Sequence, residues 1–229
     1  MRIGGWQKVS LIDYPGEICA VVFLQGCNFR CPYCHNPDLV DPARFGECLP
    51  VEDVFAYLDS RRGKLDAVTV SGGEPTLQPD LPDFIRRIRT LGFKVKLDTN
   101  GSRPEMLENL IRWGLVDYLA MDIKGPLHRY REITGADIDA GVIAKSIAVV
   151  MNSGIAYEFR TTAVKSLLKP EEAAAIGKSL ENADRYVLNR FISAQMLDQT
   201  FFREESYTER DFQAVAPVLG RYVSQVLFR

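Results

Sequence analysis

Three cysteines, Cys27, Cys31 and Cys34, stand on one short stretch in the spacing C-x3-C-x2-C. They follow an apolar run, Ile18 to Leu24, that reads as a buried strand. The Gln25-Gly26 step breaks the run and sets the cysteines on the loop at the strand's C-terminal end. In parallel α/β architectures that end is where chemistry is placed. Three thiolates on one loop can hold three irons of a cubane cluster. An ordinary cluster is held by four, so the fourth iron is left open to a substrate. Zinc is the competing metal, with His35 or Cys48 as fourth ligand. Structural zinc draws its ligands from two short pairs, and no second C-x2-C or H-x3-H exists here. That favours iron–sulfur.

Other groups fall where further strands end. Ser71-Gly72-Gly73-Glu74-Pro75 follows an apolar strand, and adjacent glycines let a ligand approach the backbone. Taken alone, the segment reads more simply as a turn. Asp98-Thr99 and Asp122, with Lys124, close two successive strands. Carboxylates converging there repel unless something positive lies between them: a sulfonium, an ammonium, a metal cation or Lys124. Helix capping by Asp98 or Thr99 and a surface ion pair for Asp122 are the plainer alternatives. Arg160, with Thr162, lies in a strand apolar enough that its guanidinium needs a carboxylate partner. A ligand or a neighbouring Asp or Glu would serve. Asp13-Tyr14-Pro15-Gly16 reads as a hairpin turn. Cys19 reads as core, Cys48 as a loop cysteine, Met121 as core or rim, and Trp6, Trp113 and His128 as packing or surface.

The cysteine spacing resembles the radical S-adenosylmethionine superfamily, and Cys34-His35-Asn36-Pro37 resembles its glycyl-radical-enzyme activases, which also carry an Asp-x-Pro-Gly segment near residue 13. The likeness covers nearly the whole chain, and is greatest to activating proteins of anaerobic ribonucleoside-triphosphate reductase. It implies a [4Fe-4S] cluster on Cys27, Cys31 and Cys34, and S-adenosylmethionine on the open iron. Reductive cleavage of that cofactor would give a 5′-deoxyadenosyl radical, which takes a glycine Cα hydrogen from a partner glycyl radical enzyme. It also implies a low-potential electron donor. The cofactor's amino group falls to Gly72-Gly73-Glu74, with the Gly73 carbonyl as contact. Its adenine lies near the backbone of Tyr33 and His35, its methionine carboxylate falls to Arg160 with Thr162, and Asp98, Asp122 and Lys124 supply further contacts. A monovalent cation is implied on Asp98, Thr99, Asp122 and a carbonyl near Ala120. Two departures stand out. No histidine matches the ribose-contacting one of pyruvate formate-lyase activase, where this chain has Asn189-Arg190-Phe191, and there is no second cysteine cluster. A small-molecule radical enzyme such as a deazaguanine-type synthase shares the triplet and the length. A non-catalytic iron–sulfur or zinc module would not need Gly72-Gly73-Glu74 or Asp98-Thr99-Asn100-Gly101.

The elements that must position these residues alternate. Expected strands run Glu17–Leu24, Ala67–Ser71, Phe93–Leu97, Asp117–Met121, Ile155–Thr162 and Tyr186–Asn189, after a short strand over 2–9 and before a closing strand over 222–228. Between them, apolar residues recur at i, i+3, i+4 and i+7, as in Val51, Val54, Phe55 and Leu58, or Leu81, Ile85, Ile88 and Leu91. Pro50, Asp80, Ser102 with Pro104, Pro170, and Thr208 with Asp211 mark helix starts. The segment Arg190–Tyr207 is irregular and suited to covering a site. Six strand–helix units imply an α/β fold, an open partial (β/α)6 barrel of parallel strands with its active site at their C-terminal edge, in a single domain of residues 1–229.

Composition agrees. Of 229 residues 46% are hydrophobic and 25% charged, enough for one full core. Net charge is −2 with no block of like charges, which argues against nucleic acid. No apolar run reaches a membrane span, and no signal-peptide core is present, so a cytoplasmic location is expected. Five clustered cysteines in a reducing compartment argue against disulfides.

Overall fold

The structure is a computed structural model that describes residues 1–229. Two compact units divide the chain. The first holds Met1–Asn28, Asn36–Thr99 and Glu105–Leu119; the second holds Phe29–His35, Asn100–Pro104 and Ala120–Arg229.

In the first unit, β1 (Ile3–Ser10) runs antiparallel to β2 (Cys19–Leu24), joined by the Asp13–Gly16 turn that the sequence reading gave as a hairpin. β3 (Ala67–Gly72) lies parallel to β2 in unbroken register from Cys19–Ala67 to Leu24–Gly72, and β4 (Lys94–Thr99) lies parallel to β3. The β2 residues Cys19 to Val22 are all but inaccessible, as a strand covered on both faces must be. Helix α1 (Pro37–Val40) follows the cysteine loop. Helix α2 (Val51–Ser60) buries Val54, Phe55 and Leu58, and α3 (Leu81–Thr90) buries Leu81, Phe84, Ile85 and Ile88. Phe55 and Phe84 meet edge-on at 5.3 Å between these helices. Asp80 stands at the N-cap of α3 but makes no side-chain capping bond there; its carboxylate takes the Met1 ammonium instead. After α4 (Pro104–Arg112), the Asp117 carboxylate accepts from Val95 N at 2.7 Å and from Arg89 at 2.6 Å. That pins the start of β5 (Tyr118–Asp122).

In the second unit, Ile123 N donates to Arg160 O at 2.7 Å, setting the end of β5 against β6 (Ala156–Ala163). β7 (Ala183–Arg190) is parallel to β6, and β8 (Val223–Phe228) is parallel to β7. Helix α5 (Tyr130–Thr134) follows β5, and α6 (Ala140–Met151) buries Ile143, Ile147 and Val150, as its spacing predicts. Helix α7 (Ala173–Ser179) is short. Helix α8 (Glu209–Leu219) opens with the expected capping box: Thr208 and Asp211 each take the other's backbone N–H. Within each unit strand order follows chain order. The sequence thus placed all eight strands within a few residues, β1 and the closing β8 included. No helix is long and apolar enough to cross a membrane.

Candidate active site

Each chemistry-bearing segment leaves the C-terminal end of a strand, and each unit holds its own share. In the first unit the loop into Cys27 is fixed by backbone. Gly26 N donates to Leu39 O at 2.7 Å, Glu74 N to Gly26 O at 2.8 Å, and Gly73 N to Leu24 O at 2.8 Å. The Gly73 carbonyl takes no part in these bonds. Both glycines are obligatory. Gly72 has φ +115, and a Cβ on it would strike the Leu24 backbone; a Cβ on Gly73 would strike the Gly26 carbonyl. The tandem glycines therefore let strand β3 lie hard against the entry to the cysteine loop. Gln25, which sequence reasoning passed over, supports the same entry from below. It is buried, its amide donates to Gly46 O at 2.9 Å, and its own carbonyl takes Gln78 Nε2 at 2.9 Å. Cys48, in an exposed loop, donates to Gln25 Oε1 at 3.3 Å.

Glu74 is wholly buried. Its Oε1 accepts from Thr76 N at 3.1 Å, from Thr76 Oγ1, and from Thr99 Oγ1 at 2.8 Å. A buried carboxylate survives only when so bonded, and here it ties the end of β3 to the end of β4. Asp98 is held at both oxygens, by Ser71 Oγ at 3.0 Å and by the ammonium of Lys96. Lys96 was not singled out from sequence, and Ser71 was named only as the start of the glycine segment; the signal for Lys96 lay in period-two alternation, which puts Lys96 and Asp98 on one face of β4.

The second unit holds Cys31, Cys34, Tyr33 and His35. Arg30 N donates to Thr134 O at 2.7 Å and Cys34 N to Cys31 O at 3.0 Å. The irregular segment after β7 straps this loop, as Asp198 N reaches Pro32 O at 3.0 Å and Leu197 N reaches Cys34 O at 3.1 Å. His35 stacks on Phe191 at 5.7 Å, with Nε2 2.7 Å from Ile192 O. Residues 190–207, read from sequence as irregular and suited to covering a site, thus bond onto the cysteine loop.

Asp122 is the hub of this unit. Arg160 bonds its Oδ1 from Nε and Nη2, each at 3.0 Å, and Lys124 bonds its Oδ2 at 3.0 Å. Arg160 therefore has a protein carboxylate for partner, the plainer of its two sequence readings. Burial pushes the Asp122 carboxyl up, but Lys124 and Arg160 outweigh it and hold the pKa down at about 2. A third of the Asp122 side-chain surface is nevertheless open, although protein surrounds the group on most sides. Burial lowers the Lys124 ammonium, yet Asp122, Tyr33 and Cys31 outweigh it and hold its pKa well above the usual lysine range. One acid with two cations leaves these three side chains at +1. Tyr130, buried beneath, accepts the Lys124 backbone N–H at 3.0 Å and meets Phe29 edge-on. Burial pushes the Cys31 thiol up to about 11, against the pull of Lys124. The Tyr33 hydroxyl lies fully buried beside Cys31 with no hydrogen-bond partner of proper geometry. Thr162, half-buried on β6, joins none of these bonds, and Ala120 is buried within β5.

These residues fit the group that the cysteine spacing calls for. All five cysteines are free. Cys31 is a buried thiol facing an ammonium that favours its thiolate, and an orphaned buried hydroxyl stands beside it with a proton to donate.

Residues 21–172 match the Radical SAM superfamily model. The chain belongs to that superfamily, is a radical S-adenosylmethionine enzyme, and has the α/β fold of parallel strands of its partial barrels. The family implies a [4Fe-4S] cluster and S-adenosylmethionine. Within it, the chain is a homologue of glycyl-radical-enzyme activases. It is 33% identical, over 99% of its length and 95% of the relative's, to a protein of Methanocaldococcus jannaschii provisionally named a glycyl-radical enzyme activating enzyme. It is 32% identical to the pyruvate formate-lyase-activating enzyme of Clostridium pasteurianum, over 82% of this chain and 80% of that one. It is also 34% identical to the 7-carboxy-7-deazaguanine synthase of Methanopyrus kandleri, over 50% of this chain and 52% of the other. Streptococcus suis SuiB bound to S-adenosylmethionine superposes with TM-score 0.67 at 14% identity, covering 91% of this chain. That likeness concerns the fold alone, and the chain spans about half of SuiB's length (51%).

Proposed function

We propose that the chain is an activase that installs a glycyl radical in a partner enzyme of the anaerobic ribonucleotide reductase type. The observation that carries the cofactor site is the +1 cluster of Asp122, Lys124 and Arg160 in electrostatic reach of Cys31. Cys27, Cys31 and Cys34 would hold the cluster, which when reduced supplies one electron to the sulfonium of bound S-adenosylmethionine. The excess positive charge suits the cofactor's methionine carboxylate, with Arg160 keeping Asp122 as its fixed partner while a second carboxylate approaches. Gly72, Gly73 and Glu74 would present the Gly73 carbonyl to the amino group, with Glu74 acting through its buried bonds to Thr76 and Thr99 rather than by contact. Tyr33 and His35 line the adenine side through their backbone, and the bond from His35 to Ile192 O fixes that backbone. Asp98 and Thr162 complete the set. Prior binding removes the entropy of the encounter between cluster and cofactor.

The activase reading is supported by the near-full-length likeness to activating enzymes and by Cys34-His35-Asn36-Pro37. Five free cysteines suit a reducing cytoplasm, and a low-potential donor would supply the electron. The shorter likeness to a deazaguanine synthase favours a second reading, chemistry on a small molecule. Anaerobic incubation of the reduced protein with S-adenosylmethionine and an anaerobic ribonucleotide reductase decides between them. The activase reading expects a protein-bound glycyl radical by electron paramagnetic resonance. Turnover of the deazaguanine precursor, with no protein radical, would overturn it.

A further inference from the structure

Lys96 sits where a lysine is costly. It is the third residue of β4, its side chain is 2% exposed, and neighbouring Val95 and Leu97 are fully buried. Lysine is almost never buried this far unless paired, and its partner here is Asp98, itself 14% exposed. The second oxygen of Asp98 takes the Ser71 hydroxyl at 3.0 Å. The buried Cys19 thiol feels this ammonium, together with the Asp13 and Asp98 carboxylates. Thr69, the parallel neighbour of Lys96 on β3, turns its hydroxyl to Cys19 and to Asp13 O.

A carboxylate at the end of a buried strand demands a counter-charge. The resemblance assigns that task at Asp98 to a bound monovalent cation. In this chain the counter-charge is covalent, because an ammonium on the same strand already occupies one carboxylate oxygen. A mobile cation on Asp98 would face that fixed ammonium across a single carboxylate, in a setting too dry to screen the repulsion. Asp122 needs no such ion either, since Lys124 and Arg160 neutralise it inside the second unit.

We propose that Lys96 is the resident cation of Asp98, so that this enzyme binds S-adenosylmethionine without any monovalent metal ion. The proposal rests on the reading of Asp98 as part of the cofactor site. It is independent of which partner receives the radical, and its test uses no partner protein.

The test measures cofactor affinity by anaerobic calorimetry on reconstituted enzyme at constant ionic strength in potassium, sodium or tetramethylammonium chloride, the last too large to enter such a site. Wild type is expected to bind with affinities within about twofold in all three. A saturable requirement for potassium or sodium would overturn the proposal. Lys96→Met is expected to lose about tenfold in tetramethylammonium and to recover it in potassium or sodium, as a small cation enters the vacated position. Thermal melting of the cluster-free variant should show the same cation response, which wild type lacks. If Lys96→Met binds cofactor as wild type does and responds to no cation, Lys96 is a packing ion pair and the proposal falls. Should that variant fail to fold, Lys96→Gln takes its place, and the wild-type series decides by itself.

Discussion

Two acids, Asp98 and Asp122, end successive strands and are neutralised in opposite ways. Asp98 has one buried ammonium and one hydroxyl, a closed arrangement with no net charge. Asp122 has two cations and a partly open surface, an arrangement with charge to spare. The same division runs through the surroundings. Glu74 in the first unit is saturated with donors, whereas in the second the Tyr33 hydroxyl has none. Satisfied polar groups make a rigid frame; unsatisfied ones and surplus charge mark where a ligand completes the structure. The first unit thus reads as the frame that shapes backbone, and the second as the part that answers to ligand charge.

The comparison can be broken most forcibly at Cys31. Cys31→Ala should remove cluster assembly and cofactor cleavage altogether while leaving a folded, soluble chain. Cleavage at the wild-type rate would remove Cys31 from the ligand set. Next is Asp122→Ala, which strands Lys124 and Arg160 together. Breaking a buried pair costs about 3–5 kcal/mol; the open third of this site lowers the expected loss to about 2 kcal/mol in urea unfolding. Cluster loading should survive and cofactor affinity should fall, and unchanged affinity by calorimetry would detach Asp122 from the site. Gly73→Ala attacks the frame instead, and should cost about 1–3 kcal/mol by overpacking against the Gly26 carbonyl. An unchanged urea midpoint would show that the frame yields there.

Acid supplies a gentler probe. The Asp122 carboxyl titrates at about 2 in the folded chain, below its ordinary value near 4. Its contribution to stability is present above about pH 4 and is lost as pH falls toward 2. After allowance for exposure that contribution is about 1–2 kcal/mol, and Asp122→Asn should remove this part of the acid transition. An identical transition in the variant would show that other carboxylates govern it. The smallest effect is expected of Tyr33→Phe. Deleting a buried hydroxyl without a partner should leave cluster-free stability within about 1 kcal/mol of wild type, with a lower potential of the loaded cluster, since the proton that the hydroxyl holds beside the Cys31 sulfur is lost. A drop of several kcal/mol would mean that the hydroxyl is bonded in the apoprotein.

Much of this was legible in the chain. The strands were visible because β2, β3 and β5 are nearly continuous apolar runs and β4 alternates charged residues with Val95 and Leu97, with Gly-Gly, Asp-Thr-Asn-Gly and Asp-Ile-Lys-Gly as the punctuation. The cysteine spacing is a local pattern, and so was readable without a fold. The choice of ion-pair partners was not. Arg160 and Asp122 are distant in sequence, and only the pairing beside β5 and β6 decides that they meet. Lys96 was hidden for another reason. A lysine in a strand reads as a solvent-facing residue, and its burial depends on what covers both faces of β4. Gln25 was lost inside a step read only as the end of a strand. The Asp80 cap failed because its N-cap side chain found a stronger, charged partner.

The central claim, that this three-cysteine loop directs reductive cleavage of S-adenosylmethionine, meets its most direct test in one assay. The protein is reconstituted anaerobically with iron and sulfide, reduced with dithionite, given S-adenosylmethionine, and assayed by chromatography for 5′-deoxyadenosine and methionine. Equal amounts of both products, absent from Cys31→Ala, are predicted. A reduced, fully loaded enzyme that binds the cofactor and yields neither product would contradict the account.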